Sequence, residues 1–203
     1  EWMQGNTFIH HGYRAKYSLK MCLQSLFRWH NETGNVWTHV IGFLIFLGLS
    51  YHVFFDLLKP VLAHHLMFAF FAFGNLACMV LSASYHLFSA HSTKKVYEWM
   101  MMLDYMGITL LTVFSFFPPV YLIFTCQPHM RWIYLGSIST LGILGIAGPM
   151  FEKFNTPEYT WVRLGIFILL GGSGLVPIIH FTFAIPFNST TGPLVGGVAL
   201  MLL

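Results

Sequence analysis

Residues 61–88 read VLAHHLMFAFFAFGNLACMVLSASYHLF, a stretch without a single Asp, Glu, Lys or Arg. The charge-free interval around it extends from Lys59 to Lys94, and a second one extends from Arg163 to Leu203. A helix needs about 20 apolar residues to cross the roughly 30 Å of hydrocarbon in a bilayer. Both intervals are long enough for such a helix, so the sequence predicts membrane-spanning helices.

The composition extends this prediction to the rest of the chain. Only 8% of the 203 residues are charged and 56% are hydrophobic, which is typical of membrane proteins. Hydropathy predicts five spans and the beginning of a sixth at Gly192. The five are residues 36–57, 61–88, 101–125, 132–150 and 164–185. Because the chain starts without Met and ends inside the apolar run 192–203, we interpret it as part of a longer protein.

The distribution of basic residues predicts the orientation in the membrane. If the spans alternate in direction, one side receives eight of the ten Lys and Arg residues, and the other receives Lys59 and Arg131. The positive-inside rule then places the N-terminus in the cytoplasm. The membrane itself is expected to be the plasma membrane or an internal membrane. The net charge of +3 is small and dispersed, so no nucleic-acid partner is expected. The eight residues are Arg14, Lys16, Lys20, Arg28, Lys94, Lys95, Lys153 and Arg163.

Residues 1–35 are predicted to be a cytoplasmic segment, followed by a transmembrane domain over residues 36–203. Polar side chains recur every four residues from Lys16 to Arg28. This pattern predicts a basic amphipathic helix that lies on the anionic inner leaflet. A helix that docks a soluble partner is the alternative. The opposite, apolar face consists of Leu19, Leu23, Leu26 and Phe27.

Three polar side chains fall where lipid would exclude them. Asp104 is the one acidic residue well inside a predicted span. Inserting such a residue into the membrane costs about 2.5 to 3.5 kcal/mol of free energy unless other groups in the bundle compensate it. Ser82 and His86 are four residues apart on one face of the second span, near its cytoplasmic end. Because the third span starts on that side, Asp104 and His86 share a depth. A histidine, a hydroxyl and a carboxylate at this depth suit a catalytic metal site. The alternative is that His86 is an interfacial histidine and Asp104 a structural hydrogen-bond partner.

His180 is predicted to lie at a different height from His86. The fifth span rises from the cytoplasmic side, which places His180 about 25 Å above its start. We expect an interhelical hydrogen bond there, near a bend made by residues 171–174 and Pro177. The three cysteines fall in separate segments, so no disulfide is predicted.

Residues 31–39, NETGNVWTH, resemble the stretch that enters the first span in the progestin and adipoQ receptor family, and the adiponectin-receptor branch is the most similar. The resemblance implies an all-α membrane protein, a seven-transmembrane-helix bundle of the adiponectin receptor type, of which five helices and part of a sixth are present. It continues in order through Ser82-x-x-x-His86, Leu103-Asp104-Tyr105-x-Gly107-Ile108, Arg163-x-Gly165 and Ser173-Gly174-x-x-Pro177-x-x-His180.

The resemblance also implies a Zn2+ ion near the inner leaflet, held by three histidines. His86 matches the second-span ligand of that family, and Ser82 and Asp104 match the residues that complete its constellation. In the family the other two ligands come from a His-x-x-x-His pair on the seventh span. This sequence has no such span. Its ends favour a longer protein whose remainder carries both ligands; the alternative is a complete chain that cannot close the zinc site.

The first function that the resemblance implies is a receptor-like, zinc-dependent hydrolase of a lipid amide, with ceramide as the substrate. Asp104 would orient or deprotonate the attacking water, and Ser82 would hydrogen-bond the developing oxyanion. Arg163, at the cytoplasmic mouth of the fifth span, would bind a fatty-acid carboxylate or a lipid carbonyl. Its alternative reading is an ordinary positive-inside charge.

The second function is a non-catalytic membrane receptor or scaffold in which zinc is structural. An extracellular protein or a steroid would then be the ligand that shifts the helices. The predicted outer loops are short and nearly uncharged, which argues against a large protein-binding surface within these residues. The two functions are compatible, since a ligand could regulate hydrolysis.

Overall fold

The computed structural model describes residues 8–58 and 61–184, and the regular structure in these two ranges is helical apart from one isolated bridge between Tyr17 and His91. A π-helical turn, Val53–Leu57, extends the second helix, and short 3-10 turns connect the fifth helix to the sixth. The α-helices are α1 (Leu19–Ser25), α2 (Thr33–His52), α3 (Leu62–Phe88), α4 (Lys94–Ile123), α5 (Pro128–Ala147), α6 (Thr160–Ser173) and α7 (Leu175–Ala184).

Five helical stretches are long and apolar enough to cross a membrane, which confirms the five predicted spans. The third starts at Lys94 rather than at residue 101, because an ion pair of 3.1 Å between Lys94 and Glu98 continues the helix into the polar layer. The predicted sixth span lies outside the described residues. The five stretches are Thr33–Leu57, Leu62–Phe88, Lys94–Ile123, Pro128–Met150 and Pro157–Phe183.

A break at Gly174 divides the fifth span into α6 and α7. Pro177 has no N–H, and its ring would clash with the carbonyl of residue 173 in a continuous helix. A Cβ at Gly174 would lie 2.1 Å from the ring of Phe116 on α4, so a larger residue would require the ring or the helices to shift. The break lies where the glycines and the proline predict a bend.

The contact between α3 and α4 is the most extensive helix contact in the described part of the chain. A Cβ added at Gly74 of α3 would lie 2.8 Å from the carbonyl oxygen of Leu110. A Cβ added at Gly107 of α4 would lie 3.2 Å from the Cα of Cys78. Small residues thus let the two antiparallel backbones approach closely, as is common between membrane helices. α2 packs against α3, and α5 and α6 pack against α4.

An apolar core lies between α4, α5 and the fifth span. Phe124, Ile138 and Leu170 are buried in it almost completely. On the outside of the bundle, large apolar side chains such as Leu44 and Ile45 are exposed. Such an exterior suits lipid, because the acyl chains are as apolar as the side chains that face them.

The N-terminal segment folds against the connection between α3 and α4. The N–H of Tyr17 donates to the carbonyl of Ala90 at 2.9 Å, and the N–H of Ser92 donates to the carbonyl of Tyr17 at 2.9 Å. Because the helices alternate in direction, the connection between α5 and α6 lies at the same end of the bundle. We call this the basic end, since it carries the eight basic residues named above; the side of the membrane that it faces stays a prediction.

α1 is shorter than the periodicity of residues 16–28 implies. Lys16 has a left-handed backbone conformation, with φ of 58°, and the helix begins only at Leu19. Cys22 and Ser25 are buried against the protein, whereas Leu19 and Leu23 are at least half exposed. The apolar face therefore points away from the bundle, as membrane contact would require; that contact stays a prediction.

Candidate functional site

His86 lies in the last turn of α3, and its ring meets a carboxylate from a distant part of the chain. Its Nδ1 is 2.9 Å from Oε2 of Glu32, the residue immediately before α2. The two side chains are only 21% and 22% exposed. The partners are 54 positions apart in the sequence, so the pair forms only when α2 and α3 have packed together.

Two asparagines hold the Glu32 carboxylate from the other side. Asn31 donates to Oε1 at 2.8 Å, and Asn35 donates to Oε2 at 2.6 Å. The hydrogen bond from His86 lowers the pKa of Glu32 below its ordinary value, and the bond from Asn35 lowers it further against the opposing effect of burial. Glu32 is therefore an anion at neutral pH.

The anionic acceptor determines which nitrogen of His86 is available. A carboxylate can only accept, so Nδ1 carries the proton and Nε2 presents a lone pair in the neutral ring. Histidines that bind metals commonly donate their other ring N–H to a carboxylate in this way. The ring of His39 lies nearby, with its centroid 5.9 Å from that of His86, but its Nδ1 is 2.7 Å from the carbonyl oxygen of Asn35.

Ser82 and Asp104 lie on the two sides of the α3–α4 contact. Ser82 is buried and is one turn before the histidine on α3. Gly107 of α4 lies against Cys78 of α3, and because the helices are antiparallel, Asp104 lies about one turn further on, at the level of Ser82. Asp104 is also close enough to Cys78 and Tyr85 to interact electrostatically with both. The three residues predicted for the site therefore occupy neighbouring levels near the basic end.

The donor set in residues 8–58 and 61–184 fits only part of a zinc site. No group of three His, Cys, Asp or Glu side chains is arranged there to hold a metal ion. His86 supplies one imidazole with an orienting carboxylate, whereas a catalytic zinc needs about three protein ligands. The described residues thus fit one ligand and its support, and they do not complete a site.

Arg14 reinforces the end of α3 that carries His86. Its guanidinium donates to the carbonyl of His86 at 2.8 Å and to the carbonyl of Leu87 at 3.1 Å, and also to the hydroxyl of Ser25. These carbonyls belong to the last turn of a helix, where a cation is favoured. Burial lowers the pKa of Arg14 below its ordinary value, yet an arginine keeps its charge in a protein.

Arg163 binds backbone acceptors at the basic end. Its guanidinium donates to the carbonyls of Phe154 and Thr156, the latter at 2.8 Å, and to the hydroxyl of Thr160 at 3.0 Å. It therefore anchors the connection between α5 and α6 to the first turn of α6. The predicted contact with a lipid carbonyl or carboxylate stays a prediction.

His180 forms the interhelical hydrogen bond that its position predicts. Its Nδ1 is 2.8 Å from the hydroxyl of Tyr134 on α5, and the ring of Phe124 packs against it with a centroid distance of 5.5 Å. This confirms the structural role, far from His86. None of the three cysteines forms a disulfide, as predicted.

Glu32 and Arg14 are the site residues that sequence reasoning missed. Glu32 lies inside the NETGNVWTH stretch, and an acidic residue directly before a predicted span was the available signal. Arg14 was counted only as one of the positive charges on one side. Nothing in hydropathy or spacing assigns either residue to the end of α3.

These helices and this site define a multi-pass helical membrane protein with polar residues gathered near one end of its bundle. The chain belongs to the Haemolysin-III related family, whose model matches residues 27–203. This confirms the predicted all-α membrane bundle of the adiponectin receptor type and its membership of the progestin and adipoQ receptor family.

Several relatives carry names from this family. The chain is 36% identical to the adiponectin receptor protein of Drosophila melanogaster, over 90% of this chain and 41% of that protein. It is 36% identical to the progestin and adipoQ receptor-like protein 1 of Caenorhabditis elegans, over 89% and 42%. It is 33% identical to heptahelical transmembrane protein 3 of Arabidopsis thaliana, over 89% and 63%. The chain therefore spans about 41% to 63% of the length of these relatives.

Proposed function

We propose that this protein is a receptor-type membrane protein with a zinc-dependent lipid-amide hydrolase site at the basic end of the bundle. The observation that carries the proposal is the pair of His86 and Glu32, because it leaves Nε2 of the histidine free and oriented. Two further histidine ligands are expected from a His-x-x-x-His pair on a seventh helix. Ceramide is the substrate that the family resemblance suggests.

Four side chains near the basic end would take part in amide hydrolysis. His86 would hold the metal ion through Nε2, and Glu32 keeps that ring in place. Asp104 accepts a proton from the attacking water and returns it to the nitrogen of the leaving amine when the C–N bond breaks. Ser82 donates a hydrogen bond to the carbonyl oxygen as negative charge develops on it. A bound zinc ion supplies the Lewis acidity that this reaction needs.

The depth of these residues suits a lipid amide. Ser82 is one turn, about 6 Å, from His86 along α3, and His86 lies within the last turn of that span. The amide of a ceramide lies near the headgroup layer, while its chains extend into the hydrocarbon. A substrate can therefore present its amide to these side chains without leaving the membrane.

The test measures fatty acid released from ceramide by the zinc-loaded, full-length protein in detergent. Removing a general base costs about a hundredfold to ten-thousandfold, so Asp104→Asn should lower the rate by that factor. The matched control is Asp56→Asn, which makes the same change in an exposed aspartate at the other end of the bundle. Equal rates in the two variants would remove Asp104 from the mechanism.

The second candidate is a receptor or scaffold in which zinc is structural, and two of the relatives are named receptors, which fits both candidates. An extracellular protein or a steroid would be its ligand. The same assay separates the candidates. A zinc-loaded wild-type protein that releases no fatty acid, but whose melting temperature falls when the zinc is removed, supports the structural role.

A further inference from the structure

An open cavity of about 1000 Å³ lies at the basic end, between the start of α4 and the connection from α5 to α6. It is separate from the site of Ser82, His86 and Asp104. Trp99 and Met106, which line it, lie on roughly the opposite face of α4 from Asp104, at about 100° per residue. The residues that hydrolysis uses are therefore absent from its walls.

Lysines line the outer part of the cavity. Lys94 and Lys95 come from the first turn of α4, and Lys153 comes from the connection that faces it. Lys94 is paired with Glu98 at 3.1 Å, whereas Lys95 and Lys153 have no ion pair with any other described residue. Glu98 and Glu152 also line the cavity, so its three lysines outnumber two glutamates, and Lys95 and Lys153 are the two ammonium groups without an ion-pair partner among the described residues. A ligand with one or two negative charges would complement them.

The inner part of the cavity is apolar. Met102, Leu103 and Met106 line it, whereas Trp99 and Met150 lie nearer to the lysines. From Lys95 to Met106 the helix descends about 16 Å, which takes the wall from the polar layer into the hydrocarbon. Methionine side chains are flexible and adapt to an irregular apolar ligand. The cavity is therefore cationic at its mouth and apolar at depth, and its mouth lies at the start of a predicted span, where lipid headgroups are expected.

We propose that this cavity binds an anionic glycerophospholipid, with its headgroup on Lys95 and Lys153 and an acyl chain along the methionines. A lipid is favoured over a free phosphate or an acidic peptide because the apolar wall would remain uncovered under either of these. Basic pockets between membrane helices on the cytoplasmic side are suited to such headgroups. The positive-inside rule predicts that orientation for the basic end.

The experiment titrates full-length protein in a neutral detergent with dioctanoyl phosphatidylserine and counts bound lipids by native mass spectrometry. Each lysine near a headgroup is worth about a fivefold change in affinity, so Lys95→Gln with Lys153→Gln should weaken binding about thirtyfold. Dioctanoyl phosphatidylcholine should bind the wild type as weakly as phosphatidylserine binds this variant. Lys95→Arg with Lys153→Arg should restore binding, which excludes misfolding as the cause.

The matched control removes the same charge from the same end but outside the cavity, by Lys16→Gln with Lys20→Gln. An unchanged affinity in this control supports a site, and an equal loss would show general surface attraction and overturn it. Glycerophosphoserine, which lacks acyl chains, should bind at least tenfold more weakly than the lipid. Equal binding of the two would make the cavity a site for free anions and overturn the proposal, as would a wild type that binds no phosphatidylserine.

Discussion

The two ends of the bundle each carry a histidine–carboxylate pair, and the pairs differ in almost everything except their chemistry. At the basic end His86 and Glu32 are 2.9 Å apart and about one-fifth exposed, and they come from the end of α3 and the residue before α2. At the other end His52 and Asp56 are 2.7 Å apart, 58% exposed, and one turn apart on the same helical stretch. The exposed pair follows from helix periodicity alone, whereas the other exists only in the assembled fold.

This difference separates a site from a surface contact. Two asparagines fix the Glu32 carboxylate, and Arg14 fixes the turn of α3 that carries His86. A ring held from both sides can orient one nitrogen toward a ligand. The exposed pair is solvated and has no comparable support among the hydrogen bonds of the described residues. Short distance alone therefore does not indicate function; the surrounding hydrogen bonds do.

The largest expected effect concerns which end faces the cytoplasm. Cys126, in the connection between α4 and α5, is exposed at the end opposite to the basic end. Burial raises the pKa of the Cys22 thiol, and alkylation requires the thiolate, so Cys22 should stay unlabelled. A membrane-impermeant maleimide applied to intact cells that display the full-length protein at their surface should label wild type through Cys126.

Cys126→Ser should abolish that labelling completely. The difference between wild type and Cys126→Ser isolates this thiol from any other cysteine in the full-length protein. If the difference appears only after the cells are permeabilised, the basic end lies outside and the predicted orientation is wrong.

The next effect tests the proposed zinc ligand His86 by comparing zinc affinity after a matched change at each pair. Glu32→Gln keeps the size of the side chain but removes the charge that holds Nδ1–H of His86. Losing such a carboxylate typically weakens metal binding about tenfold to a hundredfold. The measurement is competition between full-length protein and a chelating dye, which needs no enzymatic activity. Asp56→Asn is the matched change at the other pair and should leave zinc affinity unaltered; a loss in both variants would show that neither carboxylate acts locally.

The sequence predicts the spans well because their signal is local. A charge-free run such as residues 61–88 must cross the bilayer whatever its neighbours are, and Gly174 with Pro177 bends a helix through its own backbone chemistry. The shared depth of His86 and Asp104 is predicted only approximately, because a short connection between antiparallel spans limits their separation, and the structure places Asp104 about one turn from His86, at the level of Ser82. These features need no knowledge of which faces of the helices meet.

The contacts across helices could not be predicted in the same way. Glu32 is 54 positions from His86, and hydropathy carries no information about which side chain meets which across α2 and α3. His180 shows the limit clearly: its position predicts a hydrogen bond to another helix, but only the packing of α5 identifies Tyr134 as the partner. Likewise Arg163 is visible as a charge, and only the fold assigns it to the carbonyls of Phe154 and Thr156.

The smallest expected effect is on stability at the exposed pair. His52→Gln removes an ion pair between side chains that are 58% exposed, and pairs of this type, one helical turn apart, contribute about 0.3 to 0.5 kcal/mol. The melting temperature of the full-length protein in detergent should therefore stay within about 2 °C of wild type. A larger fall would show that further contacts stabilise the pair of His52 and Asp56. The two pairs would then differ in where they lie and not in how strongly their surroundings hold them.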